Sequence, residues 1–89
     1  MAQIITSPQS MKQFANELLH TSDALKTQER QLFAELSNLG ATWKDERFQH
    51  FDRLVTESAR ELAAFHTSAS RYAEFLKRKA NAAEKFLRG

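Results

Sequence analysis

The residues that could carry acid–base, nucleophilic or metal chemistry are few and scattered. His20, His50 and His66 are the only histidines among the 89 residues, and there is no cysteine. The tripeptide His-Thr-Ser occurs twice, at 20–22 and 66–68, and the two copies would lie in nearby layers of a helical hairpin. Neither copy brings a clear third ligand at metal-binding spacing. We therefore predict that both tripeptides lie on helix flanks and that the chain binds no metal.

A serine nucleophile is also disfavoured, although His20, Ser22 and Asp23 are close together in the sequence. A serine hydrolase needs a strained turn that exposes the hydroxyl and backbone donors that form an oxyanion hole. A phosphate-binding loop is rich in glycine, and the chain has only two glycines, so the sequence predicts no such loop. The sequence predicts a non-enzymatic protein with no cofactor and no small-molecule substrate.

The charge balance favours a solvated surface over a nucleic-acid interface. The formal net charge is +2, and the two signs alternate through most of the chain. The C-terminal end is richer in cations, but consecutive cations on a helix point in different directions and form a collar that suits a helix C-terminus. A basic nucleic-acid binder remains a third alternative, whose binding would weaken steeply with salt. The collar consists of Lys77, Arg78, Lys79, Lys85 and Arg88.

Nothing in the hydropathy pattern predicts membrane insertion. No segment approaches the roughly 18 apolar residues of a membrane span. The N-terminal "MAQIITSPQS" has no basic region before its short apolar patch, unlike a cleaved signal peptide. We expect a cytoplasmic protein, and any export would use a route without a cleaved signal.

Two long helical patterns fill the chain, which is predicted to form one domain over 1–89. Ser7 before Pro8 is a typical helix start, and nothing interrupts the helix to about residue 38. A turn is expected over about 39–42, with Gly40 in a left-handed conformation, and a second helix over about 43–88. Thr42 is predicted to cap that helix in an [ST]-x-x-[DE] pattern that ends at Asp45.

The two apolar stripes match as an antiparallel hairpin. In an antiparallel hairpin, the residue numbers of paired positions add up to a constant. Leu39 with Phe48 and Leu18 with Ala69 give the same sum, and so do all six predicted pairs from Ile4 with Ala83 to the turn. A parallel dimer of one long helix is disfavoured by Gly40 and the capping residues. Thr21, Gln28 and Ser58 interrupt the stripes and either fix the register or face solvent. The predicted seam is Met11, Leu18, Leu25, Leu32, Leu39, Phe48, Val55, Leu62, Ala69 and Leu76.

Two helices alone cannot cover each other's apolar surface. We predict an all-α antiparallel two-helix hairpin that dimerises into an elongated four-helix bundle, as a homodimer or as a heterodimer with a similar helical hairpin. The candidate dimer residues lie beside the seam: Phe14, Leu19, Phe33, Leu36, Phe65, Tyr72 and Phe75.

The connecting turn carries the only tryptophan, Trp43, and an aromatic residue, Phe51, follows eight positions later. Two helices with this arrangement and this length resemble the WXG100 family, the small secreted proteins similar to early secreted antigenic targets of type VII secretion. The Trp-x-Gly motif of the family corresponds to Trp43-Lys44-Asp45, where the acidic residue can serve the helix cap. The resemblance implies that the motif Trp43, Lys44, Asp45 and Phe51 is read by a translocase ATPase or joined by a partner's tail.

Two functions follow from the resemblance. One is a type VII secretion-type substrate or adaptor that acts through dimerisation and partner binding. The alternative is a non-secreted interaction module of the same fold, a chaperone or scaffold for a larger co-encoded protein. The alternative is favoured by Tyr72, the only tyrosine, because Leu76 stands where the family's Tyr-x-x-x-Asp/Glu motif has an acid. Trp43 could also plug the bundle end, packing on Leu39.

Overall fold

The computed structural model describes residues 7–88, which form two α-helices joined by a short turn. Helix α1 spans Pro8–Gly40 and helix α2 spans Glu46–Arg88, with residues 41–45 between them. The helices pack antiparallel as an elongated hairpin with extents of 66 × 27 × 16 Å. The predicted all-α hairpin is confirmed. The predicted pairing of Ile4 lies outside the described residues.

The start of α1 follows from its first residues. Ser7 has an extended backbone, and its side chain accepts a hydrogen bond from the backbone N–H of Ser10 at 3.1 Å. Pro8 occupies the first helical position, where a backbone N–H would have no partner within the helix. The predicted serine cap and proline start are confirmed.

Two contacts between α1 and α2 lie close to the predicted pairing. Gly40 lies against Phe48, and Ser22 bonds His66 across the helices. The two residue numbers of each contact add up to 88, whereas those of each predicted pair add up to 87. These contacts therefore lie one residue from the predicted pairing. Near the free end of the hairpin, Lys12 Nζ lies 2.8 Å from Glu84 Oε1 and adds an ion pair between α1 and α2.

The seam between the helices buries small side chains. The buried apolar residues of the described chain are Ala15, Ala69, Ala73 and Ala80, and no large side chain there is fully buried. Most of the predicted seam is half-buried, but Leu32 and Leu39 are 57% and 45% exposed. Those two leucines therefore border the seam without filling it, because two helices cannot enclose a wide stripe.

No helix in the described part of the chain combines the length and the apolar character needed to cross a membrane.

Candidate functional site

The turn begins later than the sequence pattern indicates. Helix α1 runs through Gly40, and Ala41 follows with an ordinary right-handed backbone at φ −66° and ψ −28°. The backbone N–H groups of Thr42 and Trp43 both donate to Leu39 O, at 3.1 and 2.9 Å. The predicted left-handed Gly40 is therefore wrong, since the glycine is the last residue of the helix.

Gly40 is needed for space. A Cβ added at this position would lie 2.6 Å from Cζ and 3.0 Å from Cε1 of the Phe48 ring. Real Cβ atoms do not approach other atoms so closely, and a ring is not easily displaced when it packs between two helices. The glycine thus allows the first turn of α2 to approach the last turn of α1.

Asp45, and not Thr42, caps the second helix. Asp45 Oδ1 accepts the backbone N–H of Phe48 at 2.9 Å, which is the N-cap bond of a helix that begins at Glu46. The Thr42 hydroxyl instead donates to Leu39 O at 3.3 Å and belongs to the end of α1. The predicted capping pattern ends at Asp45, which is the residue that caps α2. The prediction of Thr42 as the capping residue is wrong by three positions.

Asp45 also interacts with Trp43. The pKa of Asp45 is lowered chiefly by the backbone N–H of Phe48 and next by the Trp43 side chain. Desolvation opposes this shift, and the backbone N–H of Arg47 adds the smallest lowering. The Trp43 ring packs on Phe48 with centroids 5.3 Å apart and planes inclined by 58°. Trp43 is half-buried, so its neighbours hold it in place while part of the ring faces solvent.

Exposed large apolar side chains line one side of the hairpin, and we call this set the wide apolar face. Its large side chains are 40–59% exposed, far above what a core residue shows. Helical periodicity places them on one side of each helix. Three of them, Leu32, Phe51 and Leu54, line a groove on that side. The face consists of Phe14, Leu32, Leu39, Phe51, Leu54, Phe65, Tyr72 and Phe75.

Two grooves flank the seam near the turn. The face groove, of about 250 Å³, opens on the wide apolar face and is lined by Glu29, Leu32, Phe33, Phe51, Leu54, Val55, Ser58 and Leu62. The turn groove, of about 440 Å³, opens on the other side and is lined by Phe33, Leu36, Ser37, Gly40, Phe48, Asp52, Val55, Thr56 and Ala59.

The candidate dimer residues divide between the two sides. Phe14, Phe65, Tyr72 and Phe75 lie on the wide apolar face and are exposed. Leu19 is half-buried, Phe33 lines both grooves, and Leu36 lines the turn groove. Thr21, Gln28 and Ser58 are all exposed, and Ser58 lines the face groove.

A buried polar chain crosses the middle of the hairpin. His66 Nδ1 lies 2.6 Å from Ser22 Oγ, and His66 Nε2 lies 2.6 Å from Glu29 Oε2. An ionised carboxylate only accepts, so Nε2 donates to Glu29, and in the neutral ring Nδ1 accepts the Ser22 hydroxyl. The predicted flank position of His66 is wrong, because this residue is only 7% exposed, whereas His20 is exposed.

The sequence analysis missed this hydrogen-bonded chain because it considered only Thr21, Gln28 and Ser58 as polar residues that either fix the register or face solvent. Ser22 and Glu29 are seven residues apart and so share a helix face, which was the available signal. The arrangement is a structural one: Ser22 is 2% exposed, so a substrate has no route to its hydroxyl. Within residues 7–88, no group of three or more His, Cys, Asp or Glu is placed to hold a metal ion.

The consecutive cations Lys77, Arg78 and Lys79 point in different directions from α2. Lys79 Nζ lies 5.7 Å from the centroid of the Phe75 ring, in a cation–π contact. Lys77 is half-buried, while Arg78 and Lys85 are exposed on a different side of α2.

Comparison with known proteins gives one match. The family model described as "WXG100: Proteins of 100 residues with WXG" matches residues 3–86, nearly the whole chain. No curated protein and no solved structure matches the chain.

Proposed function

The chain belongs to the WXG100 family, and on that premise we propose that it is a non-enzymatic type VII secretion-type substrate or adaptor. It acts by pairing with a second helical hairpin through the wide apolar face. The pair forms a four-helix bundle, and the turn around Trp43 is the part that an export machine or a partner's tail reads.

The wide apolar face is the observation that carries this proposal. Its eight large side chains lie along both helices, and in the part of the hairpin that the structure describes the buried apolar residues are all alanines. A contiguous exposed apolar surface of this kind usually marks an interface. Burying apolar area stabilises a complex by about 25 cal/mol per Å², so covering the face supplies the stability that the small seam does not.

The turn is built to hold Trp43 in one place. Asp45 caps α2, the nearby Trp43 side chain helps to lower the pKa of its carboxyl, and Phe48 packs on the indole ring. A fixed aromatic side chain loses little conformational entropy on binding, which is the property expected of a recognition residue. Asp45 stands where the family has glycine, and here it caps α2.

The alternative is an intracellular interaction module of the same fold. Two departures from the family pattern favour it: Asp45 replaces the motif's glycine, and Leu76 follows Tyr72 at the motif's acidic position. In this case the same wide apolar face binds a co-encoded protein, and the turn has no export role.

The experiment that separates them is an export assay in the host that encodes the chain. The tagged full-length protein is measured in cells and in medium, with and without the type VII translocase ATPase. Appearance in the medium only when the ATPase is present supports the secreted substrate. Retention in cells in both strains contradicts it and favours the intracellular module. A cytoplasmic marker protein controls for lysis.

A further inference from the structure

The outer side of α2 carries a row of cations that the proposed function does not use. Its members follow one another at intervals of 7, 11, 7 and 7 residues. An α-helix rotates by about 100° per residue, so these intervals keep the side chains within about 40° of one line along the helix. We call this line the basic stripe, and it consists of Arg53, Arg60, Arg71, Arg78 and Lys85.

The basic stripe faces away from α1. Ala73 and Ala80 are both 0% exposed in the seam, and each follows an arginine of the stripe by two residues. Two residues rotate the helix by about 200°, so these arginines point to the side opposite the seam. All five cations are exposed, and none makes an ion pair with a carboxylate within residues 7–88.

The stripe stays accessible when the wide apolar face is covered. Leu54 and Tyr72 belong to that face, and each follows an arginine of the stripe by one residue. One residue is a rotation of about 100°, so the two surfaces point in roughly perpendicular directions. A partner on the wide apolar face therefore leaves the stripe free to bind something else.

We propose that the basic stripe binds a membrane surface rich in anionic phospholipid, with α2 lying flat on the headgroups. A helix with a cluster of four to eight Lys or Arg is attracted to such a surface, and each cation strengthens binding by a factor of about five. The inference concerns a different surface from the proposed function and does not depend on it.

The length and straightness of the stripe favour a flat partner. Lys85 follows Arg53 by 32 residues, which is about 48 Å at a rise of about 1.5 Å per residue. A bilayer surface can contact all five cations at once. The phosphates of a nucleic-acid duplex wind around a cylinder, so a straight helix meets them only where it crosses a groove.

The residues between the cations favour contact with headgroups over insertion. The other positions on the line are held by Glu57, Ala64, Thr67, Glu74 and Ala82. None of these is a large apolar side chain, so the stripe has nothing to place among the acyl chains, unlike an amphipathic helix that inserts. Five cations and two glutamates leave a net charge of +3, and binding by charge alone is reversible and weakened by salt.

The charges of the two helices determine which side meets the membrane. Helix α2 contains nine Lys or Arg and six Asp or Glu, a net charge of +3. Helix α1 contains three Lys or Arg and four Asp or Glu, a net charge of −1. An anionic surface therefore attracts α2 and leaves α1 on the far side of the hairpin.

The first test measures binding of the purified full-length chain to lipid vesicles by co-sedimentation. Phosphatidylcholine vesicles with about one third phosphatidylglycerol should bind the chain at about 0.1 M salt and release it at about 1 M, because the screening length falls from about 10 Å to about 3 Å. Vesicles of phosphatidylcholine alone should not bind it. Binding that persists in high salt, or that is equal on neutral vesicles, would show that the wide apolar face enters the membrane and would overturn the inference.

The second test compares two double variants that remove the same charge. Arg60→Gln with Arg71→Gln should weaken binding to the anionic vesicles about 25-fold, because each cation contributes a factor of about five. Arg30→Gln with Arg47→Gln changes exposed positions outside the stripe and should bind nearly as tightly as the wild type. Arginine and glutamine are both good helix formers, so both variants should keep their helicity. Equal weakening in the two variants would overturn the role of the stripe.

The third test fixes the orientation with single thiols, since the chain has no cysteine. Thr67 lies on the stripe and Thr27 lies on α1. Both are exposed, and each donates its hydroxyl to the carbonyl four residues back, so they form a matched pair. A lipid with a quencher on its headgroup should quench a fluorophore on Thr67→Cys more strongly than one on Thr27→Cys. Equal or reversed quenching would contradict the proposed orientation and overturn the inference.

Binding to nucleic acid and failure of export are separate outcomes. A lower dissociation constant for a DNA duplex than for the anionic vesicles at the same salt would assign the stripe to nucleic acid and overturn the membrane proposal. Failure to bind the vesicles overturns this inference alone, because the proposed export role rests on the wide apolar face and the Trp43 turn. A chain that binds the vesicles through the stripe but is never exported contradicts the secretion role and leaves the inference standing.

Discussion

The ring of Phe48 lies against Gly40, so that a Cβ at position 40 would approach Phe48 Cζ to 2.6 Å. This contact joins the last turn of α1 to the first turn of α2 and sets how closely the helices approach at the turn. It positions Trp43, whose ring packs on the same phenylalanine.

Gly40→Ala should therefore destabilise the hairpin. The added methyl group forces Phe48 to move, and overpacking of this kind typically costs about 1–3 kcal/mol, more than the roughly 1 kcal/mol gained in helix propensity. Urea unfolding followed by circular dichroism measures the change. In a Phe48→Leu background, where the ring is absent, Gly40→Ala should become neutral or stabilising; an equal loss in both backgrounds would show that the ring is not the cause.

Asp45 should make the hairpin sensitive to acid. Its folded pKa is lowered, so its contribution to stability is present above the ordinary value of 3.8 and is lost as pH falls through the lower folded pKa. Asp45→Ala should lower the melting temperature by a few degrees at neutral pH, because the cap is removed. Asp45→Asn should retain most of the stability that the cap provides but should lose the part of it that depends on pH. Melting curves from pH 7 to pH 2 measure this difference. A pH profile unchanged in Asp45→Asn would contradict this role.

Removing one member of the Ser22–His66–Glu29 hydrogen-bonded chain should lower the free energy of unfolding. Glu29→Ala leaves the imidazole of His66 without its acceptor, and an unsatisfied buried polar group costs about 1–3 kcal/mol. Replacing the three residues together by Ser22→Ala, Glu29→Leu and His66→Leu should cost much less, because apolar residues often replace a buried polar group without loss. Denaturant unfolding of both variants tests this contrast.

The control for that contrast is Lys26→Ala, which removes an exposed pair whose charged atoms are 4.0 Å apart. Its free energy of unfolding should stay within about 0.5 kcal/mol of wild type. If Glu29→Ala behaved like this control, the His66–Glu29 contact would not contribute to the fold.

Much of the fold follows from local sequence signals. The Ser7-Pro8 start, the single break near Gly40 and the matched stripes predict the hairpin, because each depends on neighbouring residues or on a simple period. The capping residue was misplaced, since Thr42 and Asp45 both fit an N-cap and only the path of the turn decides between them. The role of Gly40 depends on where the Phe48 ring lies, which no local pattern contains.

The site was less predictable than the fold. Trp43 and Asp45 are visible in the sequence, but the indole contact with the carboxylate depends on the turn geometry. His66 resembled a flank residue because its partner Glu29 is remote in sequence, and polar seam residues are recognisable only once the register is known. Exposed apolar residues beside the seam were predicted from the stripes. Four of the seven named residues, Phe14, Phe65, Tyr72 and Phe75, are exposed, while Leu19, Phe33 and Leu36 are half-buried.

The most direct test of the proposed function is export of Trp43→Ala beside Thr56→Ala in the host that encodes the chain. Both variants should retain wild-type helicity by circular dichroism, since Trp43 is half-buried at one end of the hairpin and Thr56 is exposed. We predict that Thr56→Ala reaches the medium like wild type and that Trp43→Ala is retained in the cells. Export of Trp43→Ala at the wild-type level would contradict the central claim that the Trp43 turn is the recognition element.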